Sequence, residues 1–368
     1  MRIYFEKRQS ISRRAMILVP VVSFITALLL GAILLLASGV NPMSTYAAMF
    51  RGAFGSLYAF SETMVKAIPL MLTGLGVAVA FRMRFWNIGA EGQYVWGSIA
   101  STFVALFLSD FIPTPLLLPA VILGGVIAGA LWAGIPATLK AFLGVDETLT
   151  SLMLNYVAIL FAQYLYYGPW RDPQGYGFPG TAQFPEAAWL PRLVGRTHFG
   201  LIFAVIAALL LWFVFNRTRW GFELKIIGGN KTAANYLGIK IGRNILLALL
   251  VSGGLSGLAG ASEIAGVSRR LQTGLFLGYG YTAIIVAWMA QLKSIPILFV
   301  GILMGALIVG GDQVQMVMGL PSSVGLVLQG LILFPLLAGS LFVEYRLKFV
   351  RPEKKLTNNE ESSAEVQS

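Results

Sequence analysis

Pro115-Leu116-Leu117-Leu118-Pro119-Ala120-Val121-Ile122-Leu123-Gly124-Gly125-Val126-Ile127-Ala128-Gly129-Ala130-Leu131-Trp132-Ala133-Gly134-Ile135-Pro136-Ala137-Thr138 contains no charged side chain. As a helix it would reach about 36 Å, enough to cross a hydrocarbon layer about 30 Å thick. Working outward, similar apolar runs lie near residues 15–38, 63–81, 89–109 and 148–167, and further on near 198–216, 244–265, 280–292, 295–310 and 322–343. The run at 280–292 is short and is separated from the next only by Lys293-Ser294-Ile295-Pro296, so this pair reads either as two spans or as one broken or re-entrant element. The fold expected is all-α: a polytopic membrane protein with about ten transmembrane helices, eight or nine being the alternatives.

Composition agrees, with 57% of residues hydrophobic and 12% charged, far too apolar for a soluble domain of this length. There is no cysteine, which excludes disulfides, thiolate catalysis and zinc-thiolate sites, and the single histidine, His198, leaves no His-rich metal site. The net charge of +11 would suit a nucleic-acid surface if the positive residues were gathered in one patch, but they flank the apolar runs instead. With a cytoplasmic N-terminus, 20 of the 27 basic residues fall inside: five in residues 1–14, Arg82 and Arg84, Lys140, six from Arg217 to Arg243, Lys293, and five after Glu344. The reverse topology inverts that ratio, so both termini are placed in the cytoplasm.

Arg13-Arg14 ahead of an apolar run also resembles the start of a cleavable signal peptide, but the run is about twice the usual apolar core, so a retained first span is expected. The chain then divides into a basic cytoplasmic N-terminus (1–14), a transmembrane domain (15–343) with a cytosolic loop at 217–243, and a polar, disordered cytoplasmic tail (344–368). Residues 168–197, with Pro169, Pro173, Pro179, Pro185 and Pro191, form the one long exterior loop. Small residues recur at helical spacing at Gly125, Gly129 and Ala133, at Gly253, Gly257 and Ala261, and at Gly301 and Gly305. In lipid such spacing lets helix backbones approach closely.

The cytosolic loop holds Gly228-Gly229-Asn230-Lys231-Thr232-Ala233-Ala234-Asn235-Tyr236-Leu237-Gly238-Ile239, flanked by Arg217, Arg219, Lys225, Lys240 and Arg243. Ala233, Ala234, Leu237 and Ile239 can form one face of a short amphipathic helix at the membrane surface, small enough to enter a partner's groove; a basic connector without a partner is the alternative. Gly228, Asn230, Ala233, Ala234, Tyr236, Gly238 and Ile239 reproduce the Gly-x-Asn-x-x-Ala-Ala-x-Tyr-x-Gly-Ile pattern of ABC importer permeases of the branched-chain amino acid, simple sugar and nucleoside group. The segment there resembles the coupling helix that sits on the ATPase subunit.

Two further stretches carry the same resemblance. Phe85-Trp86-Asn87-Ile88-Gly89-Ala90-Glu91-Gly92-Gln93 resembles the family's Phe-Asn-Ile-Gly-x-Glu-Gly-Gln motif, and Asp146 to Tyr156 opens a span in the manner of these permeases. From the residues alone, Asn87 suits an N-cap and Glu91 the first turns of a helix, where the dipole favours negative charge; a substrate contact is the other reading. Asn155, one turn into a span, must bond either another helix or a polar solute. Glu263 reads as pairing with Arg269 or Arg270, with a pathway role as the alternative. For neutral polar ligands the spans also offer Asn87, Glu91, Gln93, Tyr156, Gln163, Trp288 and Gln291. Arg82–Ile88 and Arg269–Gly278 are both basic, aromatic-bearing lead-ins to a span on opposite faces of the membrane, the arrangement an inverted repeat would produce.

Gly229-Asn230-Lys231-Thr232 lacks the spacing of a phosphate loop, and the nucleophile elbow and the paired histidines of zinc hydrolases are absent. The chain is therefore expected to be a transport subunit and not an enzyme, with no cofactor of its own. The resemblance, closest to purine nucleoside uptake permeases, implies an ATPase subunit carrying the ATP and magnesium, a second related permease in a heterodimer, an extracellular substrate-binding lipoprotein, and residence in a bacterial cytoplasmic membrane with no nucleic-acid partner. Nucleosides are the expected cargo, with simple sugars, and after them branched-chain amino acids, as alternatives. An ion-gradient-driven transporter would need more buried ionisable groups than Glu91 and Glu263, and a lipid-modifying enzyme more His, Asp and Glu at membrane depth.

Overall fold

The computed structural model describes residues 2–7, 13–276 and 278–350. In chain order these form β1 (Arg2–Lys7), α1 (Arg13–Ala37), α2 (Pro42–Phe54), α3 (Leu57–Phe81), α4 (Ala90–Phe107), α5 (Thr114–Leu143), α6 (Glu147–Tyr167), the small β2 (Arg192–Val194) and β3 (Thr197–His198), α7 (Gly200–Arg217), α8 (Arg219–Gly229), α9 (Lys231–Tyr236), α10 (Ile241–Glu263), α11 (Tyr279–Met289), α12 (Ser294–Met318), α13 (Ser322–Glu344) and β4 (Tyr345–Val350). Each apolar run of the sequence is a helix. Among the described residues six helices are long and apolar enough to cross a membrane, or seven if Val21–Ala37 and Pro42–Phe54, bent by 114°, count as one broken span.

The count of about ten crossings is thus not reached by length and apolarity. Helix α4 opens on Glu91, Gly92 and Gln93, which lowers its mean hydropathy, and α11 has 11 residues, about 16 Å or half a hydrocarbon layer. The turn from α11 to α12 places Gln291 and Leu292 at φ 53° and 56°. The run at 280–292 is therefore a helix too short to cross a hydrocarbon layer by itself.

The chain separates into two compact units, residues 33–330 and a smaller one made of the chain before residue 33 and after residue 330. In the smaller unit β1 pairs antiparallel with β4, Arg2 opposite Val350 and Lys7 opposite Tyr345. The expected disordered tail therefore does not start at 344: residues 345–350 are a strand, and 351–368 lie outside the described residues.

In the larger unit α3 is the central helix. Its apolar window is 94% buried, against 28% for α5 and α6, because α2, α7, α10, α11 and α12 all pack around it, while α5 and α6 keep one face without a neighbour. Helix α3 packs on α12 as α10 packs on α5; α4 packs on α10 as α11 packs on α3; and α4 touches α5 as α11 touches α12. Exchanging α3-α4-α5 with α10-α11-α12 leaves that pattern unchanged.

The small-residue spacing explains the α5–α10 contact. Gly125, Gly129 and Ala133 run antiparallel to Ala261, Gly257 and Gly253: a Cβ at Gly253 would land on the Gly129 carbonyl, and one at Gly257 on the Gly125 carbonyl. On α12, Gly305 lies against the Thr63 carbonyl of α3 in the same way, while Gly301 makes room for the Met71 side chain. These backbones touch because nothing larger than hydrogen stands between them.

Candidate functional site

After α3 the chain breaks from helix at Arg82–Gly89, with Arg84 at φ 55°, and resumes as α4 in the protein interior. Broken backbone at this depth must find partners inside the protein. Asn87 supplies several: its Oδ1 accepts from the Gly89 N–H (3.1 Å) and from Gln93 Nε2 (3.0 Å), and its Nδ2 donates to Gln93 Oε1 (3.2 Å) and to Ser252 Oγ of α10 (3.0 Å). Asn155 of α6 supplies the rest, with Oδ1 accepting from the Gly92 N–H (2.8 Å) and Nδ2 donating to the Ile88 carbonyl (2.9 Å) and Tyr281 Oη (3.1 Å).

Glu91 joins this break to the second one. Its carboxylate accepts from the Gly278 N–H (3.1 Å) and the Gly280 N–H (2.6 Å), which lie at the N-terminus of α11 where unpaired N–H groups favour a negative charge. The two helices meet so closely that a Cβ on Gly280 would strike the Glu91 backbone. Asn87, Glu91, Gln93 and Asn155 are all buried and spend these hydrogen bonds on the protein itself. Asn155→Leu would strand the Gly92 N–H and the Ile88 carbonyl, at about 1–3 kcal/mol for each unpaired group. We expect a lowered thermal-unfolding midpoint of the detergent-purified protein; an unchanged midpoint would show the clamp to be dispensable.

The Gly228–Ile239 motif is also resolved into local causes. Asn230 is the N-cap of α9, its Oδ1 accepting from the Thr232 (2.9 Å) and Ala233 (3.2 Å) N–H groups, and Gly238 at φ 71° ends the turn where a side chain would be strained. Helix α9 is therefore only six residues long. Ala233, Ala234, Leu237 and Ile239 do not share one outward face: Ala234 is fully buried and Ile239 half-buried, while Ala233, Leu237 (63% exposed) and Tyr236 (89% exposed) point away from the protein. Gly228 lies at the other end of this corner, where a Cβ would collide with the Arg82 carbonyl, so α8 rests directly on the end of α3.

Of the remaining polar candidates, Trp288 and Gln291 lie beside the start of the break, Trp288 against the Trp86 ring (6.0 Å between centroids), while Tyr156 and Gln163 do not. Tyr156 and Gln163 lie on the outward face of α6 with Tyr164 and Tyr167. Trp288 and Gln291 line a cavity of about 860 Å³ with Arg82, Lys225, Gly228 and Lys293. There Arg82 donates through Nη2 to the Leu292 carbonyl (3.1 Å), tying the end of α3 to the end of α11. The pairing expected for Glu263 is absent: Arg269, at φ 56° after the π-helical turn Ile264–Ser268, stacks 3.6 Å over the Trp189 ring, and Arg270 bonds Gln272. Sequence reasoning overlooked Ser252, Tyr281, Tyr94 and Tyr279, the last two being buried aromatics that look like ordinary span residues.

Residues 59–337 match the family described as branched-chain amino acid transport system, permease component. The chain is 36% identical to a glucose ABC transporter permease protein of Haloferax volcanii, over 89% of each chain. It is 34% identical to the guanosine ABC transporter permease protein NupP of Bacillus subtilis, over 94% of this chain and 98% of that one. It is also 34% identical to the nucleoside ABC transporter permease protein NupB of Lactococcus lactis, over 80% and 83%.

Proposed function

Because the chain belongs to the branched-chain amino acid transport system permease family, we propose that it is the membrane-spanning subunit of an ABC importer that moves nucleosides into the cell, driven by an ATPase that docks on the α8–α9 corner. The observation that carries this reading is the exposed Ala233-Tyr236-Leu237 face, mounted through Gly228 on the end of α3. An aromatic ring and a leucine held out on a short, capped helix call for a protein partner. Force on α9 passes through α8 to the Arg82–Met83 backbone, and from there to the break before α4 and, through Arg82 and Leu292, to the end of α11. ATP and magnesium belong to the partner.

Charge supports the sidedness. Arg82, Lys225 and Lys293 share one cavity, while Lys66, Arg196 and Arg270 share another, matching the groups that the positive-inside count assigns to the cytoplasmic and outer faces. Both termini then lie in the cytoplasm of a bacterial cell. The outward α6 face, with the hydroxyls of Tyr156 and Tyr164 and the Gln163 amide, is costly against hydrocarbon and suits a second, related permease with a solute path between the two. In this arrangement Asn87, Glu91, Gln93 and Asn155 hold the frame, Tyr156 and Gln163 line the path, and Trp288 and Gln291 sit at its inner mouth. An external binding lipoprotein delivers the solute.

The relatives named for guanosine and nucleosides favour nucleoside cargo, and the one named for glucose favours simple sugars as the second reading. Uptake of labelled nucleosides, bases, sugars and amino acids, compared in cells with and without the gene, decides between them. Nucleoside uptake should depend on the gene and on ATP. Gene-dependent uptake of amino acids alone, or uptake that collapses with the proton gradient at constant ATP, would overturn the proposal.

A further inference from the structure

At the end of the helices opposite the α8–α9 corner lies a polar cavity of about 600 Å³, lined among others by Lys66 of α3, Asp172 and Arg196 of the long loop, Glu263 at the end of α10, and Ser268 and Arg270 just beyond it. Glu263 is 6% exposed, and its Oε2 has no hydrogen-bond partner; nor has the buried Ser268 Oγ. Lys66 forms no ion pair among the described residues, although Glu263 and Asp312 both act on or feel its charge. Outside the lining but within electrostatic reach of Glu263, the hydroxyls of Tyr94 and Tyr279 are buried without partners, and Ser262 Oγ next to Glu263 in the chain is likewise unpartnered. Each unpaired buried polar group costs about 1–3 kcal/mol, and so many in one place mark a site built for something that brings its own hydrogen bonds.

The charges narrow the ligand. A bare cation would meet Lys66 and Arg270, Arg196 being paired with Glu62 (3.0 Å); an anion would meet Glu263 and Asp172. A neutral polyol suits both, since each hydroxyl donates one hydrogen bond and accepts others. Two adjacent hydroxyls match a carboxylate in the way a bidentate donor does, while lysine and arginine donate back to the same oxygens.

We propose that this cavity is a subsite for the vicinal hydroxyls of the incoming solute's sugar, held by Glu263 and Ser268 with Lys66 and Arg270 donating. The inference rests on the import of sugar-bearing solutes proposed above. Both the ribose of a nucleoside and a free hexose carry that chemistry, so it accommodates relatives named for either.

The test is equilibrium binding of labelled guanosine, 2′,3′-dideoxyguanosine and D-glucose to the full-length permease, with whatever subunits co-purify, in lipid nanodiscs. Wild type should bind guanosine or glucose at least about tenfold tighter than the dideoxy compound, and Glu263→Gln should shrink that preference to about threefold or less. Guanosine binding without glucose identifies ribose as the source, and the reverse identifies a hexose. Ser268→Ala, with a smaller loss of preference, keeps the test readable should Glu263→Gln fail to fold. Equal binding of guanosine and its dideoxy form with no affinity for glucose, or a preference untouched by both variants, would overturn the subsite. If cells still import nucleosides through the gene in that case, the proposed function stands and only the subsite falls.

Discussion

Ala233→Glu is expected to abolish ATP-driven uptake while leaving membrane insertion and the unfolding temperature unchanged. Ala233 is exposed on α9, and its contribution to the helix is the backbone N–H that donates to Asn230 Oδ1, which the substitution keeps. A glutamate here meets no buried neighbour in the isolated chain, and a surface change of this kind shifts stability by about 0.5 kcal/mol or less. On the docked complex the same carboxylate would lie between Tyr236 and Leu237 and the partner. An unpaired charge buried in an interface costs about 2–5 kcal/mol, roughly thirtyfold to several thousandfold in affinity. Uptake in whole cells, read beside recovery of the ATPase on the tagged permease, checks it. Normal uptake by the variant would remove α9 as the docking element, whereas loss of the protein from the membrane would mean that Ala233 is structural. Ala233→Ser, which adds no charge, is the control expected to transport.

The apolar runs and the small-residue register were legible because both are properties of single helices in lipid: long apolar stretches follow from the thickness of the bilayer, and glycines at helical spacing follow from backbones that touch. The pairing of Gly125, Gly129 and Ala133 with Ala261, Gly257 and Gly253 needed only that the two stripes face each other. What depended on tertiary pairing was not legible. That Asn155 bonds Gly92, Ile88 and Tyr281 requires α6 to lie beside the break before α4, and no local pattern says so. The guess that Glu263 pairs with a nearby arginine failed because a π-helical turn and a left-handed Arg269 carry that guanidinium over Trp189. The face of α9 was misassigned since Asn230 and Gly238 confine the helix to six residues, too few for four apolar positions to align. Tyr94 and Tyr279 stayed hidden for a further reason: a tyrosine within an apolar run looks the same whether its hydroxyl is paired or waiting for a ligand.

Gly257→Leu is expected to cost the protein its fold. Gly257 lies where α10 meets α5, and even a Cβ there would land on the Gly125 carbonyl and within contact of Gly129, both main-chain atoms that no rotamer change can move. A leucine adds three more carbons to that clash, so the helices must separate. Overpacking a well-filled core costs about 1–3 kcal/mol, and more where backbone has to shift. Separation also undoes the neighbouring contact of Gly253 with Gly129, which depends on the same spacing. The effect reaches the site, since α10 carries Ser252, which anchors Asn87 at the break, and Glu263, which lines the polar cavity at the far end of the helix. Gly254→Ala provides the contrast on the same helix, as its added methyl would meet Val126 Cγ1 at an ordinary 3.4 Å. Yield of monodisperse protein in detergent and its thermal-unfolding midpoint should fall sharply for Gly257→Leu and stay near wild type for Gly254→Ala. If both variants behave alike, close approach of the α5 and α10 backbones is not what holds this pair of helices together.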